Sequence, residues 1–133
     1  MPATSIESKH VACPTFAADR EVGLSRMIHH IDFAVSDFAR SREFYVRALA
    51  PLGMNPIMEL TREGGRLLTG FGSLPDPVFW IRTGEPIKQR LHVAFLASTR
   101  SAVRAFHRAA LEAGGKDQGG PGLRERYAEH YYA

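Results

Sequence analysis

A shift of 62 residues lays the second half of this 133-residue sequence onto the first: His30 falls on His92, Ile31 on Val93, Phe33 on Phe95, Ser36 on Ser98, Arg42 on Arg104, Phe44 on Phe106, Ala48 on Ala110, Leu49 on Leu111 and Gly53 on Gly115. A match of this kind is one structural unit used twice. In each copy a histidine opens an alternating apolar run, a polar residue follows, and an amphipathic stretch runs into glycine. The repeat therefore predicts a strand and then a helix in each copy, and it sets two imidazoles at equivalent places where they can face one cavity and share a metal ion.

Within the first copy Ile31, Phe33 and Val35 alternate with His30, Asp32 and Ala34, which puts the two sets on opposite faces of a strand over 28–35. Ser36 or Asp37 can cap the helix that follows, which runs to about Leu49 with Phe38, Phe44, Tyr45, Ala48 and Leu49 on its apolar side. Pro51 and Gly53 end it. Three short strands are expected near 55–61, 66–71 and 78–82, separated by turns at Glu63-Gly64-Gly65 and Pro75-Asp76-Pro77. The first copy thus reads β-α-β-β-β.

The second copy opens the same way. A strand is expected over 89–97, with Leu91, Val93, Phe95 and Ala97 opposite His92, Ala94 and Leu96, then a helix capped by Ser98 or Thr99, with Gly114-Gly115 as its exit. Only 18 residues follow Gly115. At ~5–6 residues per strand plus turns, they hold one or two strands where the first copy uses three.

Residues 1–26 show neither strand nor helix periodicity and read as an N-terminal extension, with one domain over 27–133 built from module one, 27–84, and an incomplete module two, 88–133. The net charge is +3, but the arginines are scattered rather than gathered into a stripe, which argues against a nucleic-acid partner. Cys13 is the single cysteine, so no intrachain disulfide forms and a reducing, cytoplasmic location is expected. No apolar run reaches the ~20 residues needed to span a bilayer, so no membrane partner is expected. Gly64-Gly65 and Gly119-Gly120-Pro121-Gly122 lack the following Lys-Ser or Lys-Thr of a phosphate loop and read as turns.

From Met27 onward the chain resembles the vicinal oxygen chelate superfamily, which includes glyoxalase I, extradiol dioxygenases, fosfomycin-resistance enzymes and bleomycin-resistance proteins. The residues that carry the resemblance are His30-Ile-Asp-Phe-Ala-Val-Ser-Asp37 with Phe44-Tyr45 and Pro51-Leu-Gly53, and His92-Val-Ala-Phe95 with Phe106 and Gly114-Gly115. Pro77-Val-Phe-Trp80, Pro121-Gly-Leu-Arg124 and Tyr131-Tyr132-Ala133 resemble a bacterial glyoxalase-like subgroup. The resemblance implies an α+β fold of tandem βαβββ modules forming a half-open mixed sheet around a cavity, with the second module truncated here.

It also implies a divalent metal, Zn, Ni, Mn or Fe, held by His30 and His92 and by a glutamate from the last strand of a module. Module one ends in Val78-Phe79-Trp80-Ile81-Arg82, without an acid, which leaves Asp32 or Glu59 as substitutes. A metal so bound would chelate vicinal oxygens of a small-molecule substrate, as in a lyase, isomerase or dioxygenase. Trp80, Arg82, Arg124 and Tyr127 are the candidate substrate-binding residues: Trp80 as an aromatic wall, the arginines as forks for a carboxylate or phosphate, and Tyr127, with Tyr131 and Tyr132, at the cavity mouth. Core packing for Trp80 and structural roles for the arginines are the competing readings. His29 and His107 read as surface or packing residues, and no catalytic residue is assigned. The alternative function is a metal-free binder that sequesters an antibiotic or other aromatic or cationic ligand, or a truncated inactive module. A missing strand leaves a sheet edge unpaired, so a homodimer is expected, with strand exchange as one route to it.

Overall fold

A computed structural model describes residues 28–89 and 91–133. The 1–26 extension, Cys13 included, lies outside the described residues. The elements in order are β1 (Ile31–Val35), α1 (Phe38–Leu49), β2 (Asn55–Arg62), β3 (Arg66–Ser73), β4 (Asp76–Thr83) and α2 (Arg100–Glu112). The strands form one open mixed sheet in the order β1-β4-β3-β2, with β1 parallel to β4 and the other two pairings antiparallel. The fold is α+β, a four-stranded sheet with two helices.

Both helices start where the sequence supplies a cap. Asp37 sits in extended backbone and its Oδ1 accepts from Arg40 N at 3.0 Å, while Thr99 Oγ1 accepts from Ala102 N at 3.1 Å. Gly53, at φ 71°, takes the left-handed turn that stops the short helical extension of α1 over 50–52. α2 begins 62 residues after α1, so the helix of the sequence repeat recurs in the structure. α1 packs on α2, with the Phe44 ring against Gly115.

The core lies between β1, β3, β4 and the helices. Leu49, Phe71, Phe79 and Ile81 are buried, and Phe33, Tyr45, Phe95 and Phe106 pack around them. The rings meet edge to face, at centroid distances of 4.9 Å for Tyr45 and Phe79, 5.4 Å for Phe33 and Phe79, and 5.1 Å for Phe79 and Phe95. Burial also pushes the Tyr45 phenol above its ordinary pKa.

The second module departs from the expectation. No strand forms over the described part of 89–97, although its side chains alternate as the sequence requires. Val93 and Phe95 are half-buried and, with the half-exposed Leu91 and with Phe33, Tyr45 and Phe79, line a cleft of about 260 Å³. His92, Ala94 and Leu96 are exposed, Leu96 at 95%. The physical reason is a missing partner: β1 is a strand because β4 of its own module hydrogen-bonds to it, and among the described residues no strand lies beside 91–97 to do the same. Beyond α2 the described residues contain one isolated bridge, Leu123 with Tyr132, in place of strands.

The 116–120 loop is tied back to α2. Asp117 Oδ1 accepts from Gly119 N at 2.9 Å and lies 3.1 Å from His107 Nε2. These bonds, Gly119 first and His107 second, hold the Asp117 carboxyl below its ordinary pKa. A group with a lowered folded pKa contributes stability above its unfolded pKa and loses it as pH falls through the folded value. A carbon-detected NMR titration should therefore place the Asp117 midpoint below the ordinary aspartate range, and His107→Ala should move it upward; a midpoint within that range would contradict the clasp.

Truncation should separate the two faces of the chain in denaturant unfolding. Phe71→Ala, at a fully buried ring, is expected to cost about 3–5 kcal/mol. Leu96→Ala, at an exposed side chain, should change stability by less than about 0.5 kcal/mol. Comparable losses would mean that Leu96 packs inward.

Candidate functional site

Alternation along β4 sorts its residues between two faces of the sheet. Phe79 and Ile81 point into the core, so Trp80 and Arg82 point to the opposite face, which carries no helix among the described residues. On β1, Phe33 and Val35 join the core, which leaves Asp32 and Ala34 on that same open face. The parallel register sets Asp32 beside Trp80 and Ala34 beside Arg82. Two of the sequence-predicted ligand residues therefore share one face of one strand.

Arg82 Nε donates to Asp32 Oδ1 at 2.8 Å, with both side chains 36% exposed. A pair this exposed contributes little to stability, about 0–1 kcal/mol, but it fixes the direction of the guanidinium. Gly84 and Ala34 complete the seat: a Cβ built on Gly84 would lie 3.0 Å from Arg82 Nη1 and 3.2 Å from Ala34 Cβ. Across the sheet, Gly70 pairs with Trp80 and Leu68 with Arg82. A Cβ on Gly70 would fall 2.8 Å from Trp80 Cε2 and Cζ2 and 2.8 Å from Pro77 Cβ, so the missing side chain lets the indole lie against the β3 backbone.

The candidate metal ligands are placed differently. His30 is exposed immediately before β1, with its Nδ1 2.9 Å from His29 Nδ1 and the two rings edge to face. His92 is exposed on the unpaired 91–97 segment. Asp32 is engaged by Arg82, and Glu59 accepts from Arg42 Nε at 2.7 Å. Among the described residues no group of three His, Cys, Asp or Glu gathers as a metal site would require. The donors that the described residues of one chain bring together do not by themselves fit a resident metal.

Arg124 and Tyr127 belong to the C-terminal turn. Arg124 Nη2 donates to Gly120 O at 2.7 Å, and Tyr127 N donates to Arg124 O at 2.9 Å. Tyr127 is 66% exposed; its ring meets Tyr131 edge to face, and the Arg126 guanidinium stacks over it. Paired backbone bonds between Gly122 and Ala133 close this segment on itself. The contacts of Arg124 hold the turn.

Sequence reasoning missed Gly70 and Gly84 and treated Asp32 only as a substitute metal ligand. The Gly70-Phe71-Gly72 spacing inside a strand was the available signal, since glycine in a strand interior marks a close approach. The Asp32–Arg82 pair had none, because it spans 50 residues and depends on the parallel register.

Among the described residues no helix is long and apolar enough to cross a membrane. No protein-family model and no curated protein matches the sequence. Among solved structures the chain is similar to the crystal structure of a glyoxalase/bleomycin resistance protein from Albidiferax ferrireducens T118, with 26% identity and a TM-score of 0.61 over 74% of this chain and 82% of that one. That likeness joins the β-α-β-β-β order, the β1-β4-β3-β2 sheet and the repeated helix. The chain has the fold of a glyoxalase/bleomycin resistance protein, and this likeness supports the resemblance to the vicinal oxygen chelate superfamily.

Proposed function

We propose that this chain is a small-molecule-handling protein of the glyoxalase type that takes its ligand on the open face of the sheet. The observation that carries the reading is the half-exposed Trp80 and the oriented Arg82 side by side on that face. Their chemistry suits a flat ligand with a polar group. Metal-free binding, the mode of an antibiotic-sequestering protein, is favoured over a metal-dependent lyase, isomerase or dioxygenase because both substitute carboxylates are engaged by arginines. His30 and His92 remain the residues to test as ligands of Zn, Ni, Mn or Fe. A cytoplasmic location belongs to the same proposal.

The partner in this proposal is a second copy. The outer edges of β1 and β2 and the 91–97 segment have no ladder among the described residues. Unpaired backbone donors and acceptors of this kind favour pairing with another chain. A homodimer, assembled side by side or by strand exchange, supplies it. Light scattering at micromolar concentration should give the mass of a dimer; a monodisperse monomer would refute the assembly.

Metal content after loading with Ni, Zn, Mn or Fe(II), measured by mass spectrometry beside the His30→Ala, His92→Ala double variant, decides the mode of binding. The expected result is little retained metal and no difference between the two proteins. Near-stoichiometric metal that the double variant loses would replace the metal-free reading with the metal-dependent one.

A further inference from the structure

Resting on the open-face reading, the geometry points to a narrower ligand class: we propose that Trp80 and Arg82 form a subsite for an aromatic carboxylate, with Asp32 and Gly70 as the residues that position them. Asp32 takes the Nε edge of the Arg82 guanidinium, and the Nη edge makes no hydrogen bond to a described residue. That remaining edge presents two parallel N–H groups, the fork that matches the two oxygens of a carboxylate. A Cβ on Gly84 would fall 3.0 Å from Nη1, so the missing side chain leaves room for the guanidinium at this seat.

Adjacency selects the ligand. Asp32, which holds the Arg82 guanidinium, is the register partner of Trp80, so the fork is tied to the strand position beside the indole. An aromatic ring with a carboxylate bonded to it offers both partners at once, a flat face for the indole and two oxygens for the fork. Gly70 makes the platform, because any side chain there would meet the indole and Pro77. Asp32 neutralises part of the charge on Arg82, so recognition rests on direction more than on net attraction.

The test is a titration of intrinsic fluorescence without added metal, which reports on Trp80 as the single tryptophan of the chain. The probes are benzoate, its uncharged amide benzamide, and cyclohexanecarboxylate, which keeps the charge and loses the flat ring. Benzoate should quench saturably and bind about tenfold tighter than either analogue, and Arg82→Lys should lose about tenfold because an ammonium offers no fork. Asp32→Asn retains an oxygen for Nε and should keep or improve affinity, whereas Asp32→Ala should weaken it. That split marks positioning, since a purely electrostatic role predicts tighter binding in both variants. Gly70→Ala should shift the Trp80 emission and abolish binding while circular dichroism stays that of the folded chain.

Equal affinity for benzoate and benzamide would overturn the carboxylate subsite and leave the small-molecule reading intact. Tighter binding in both Asp32 variants would overturn the positioning role. No saturable response to any probe would overturn the aromatic-carboxylate subsite, while the open-face reading would fall only if Trp80 emission stayed unchanged across uncharged and cationic aromatic ligands as well.

Discussion

The parallel pairing of β1 with β4 governs the rest of this structure. It joins residues far apart in sequence, Ile31 with Phe79 through Val35 with Thr83, and closes module one on itself. On one side it brings Phe33 against Phe79, and the aromatic cluster with Tyr45 and Phe71 assembles around them. On the other side the same register aligns Asp32 and Ala34 with Trp80 and Arg82. Core and candidate site are thus two faces of one pairing, since successive side chains of a strand must alternate.

The second module shows what the pattern does without that partner. Residues 91–97 carry the same alternation as β1, and Phe95 packs on the core while Leu91 and Val93 line the cleft beside it. They form no ladder. Apolar alternation sets which side chains are buried, whereas a strand also needs a neighbour to take its backbone hydrogen bonds. The helix after it needs none, because its bonds are internal and Thr99 caps it, and α2 repeats α1 at the full 62-residue offset. The unpaired segment and open sheet edges explain why the proposed function includes a second copy.

How much was legible in the sequence follows the same division. The helices, their caps and three strands of module one were readable to within a few residues, because each rests on local periodicity and turn chemistry. The 89–97 strand was not, since its fate turned on a strand outside the repeat's local pattern. The placement of Trp80 and Arg82 on one face followed from their spacing of two. Asp32, engaged by Arg82, and Glu59, engaged by Arg42, are the two carboxylates that sequence reasoning had offered to a metal, and neither pairing is visible without the tertiary structure. The equivalence of His30 and His92 was visible, but the surroundings were not: one ring meets His29, and the other is exposed on a segment without a ladder.

Residue-resolved hydrogen exchange tests the dependence on β4 most directly, comparing the amides of 31–35 with those of 92–97 over a range of protein concentrations. The pairing described here predicts slow exchange at every concentration for the β1 amides that bond to β4, and fast exchange throughout 92–97 when dilute that slows as a second copy associates. Equal protection of the two segments in dilute solution would contradict it, because 92–97 would then have found a strand partner within its own chain.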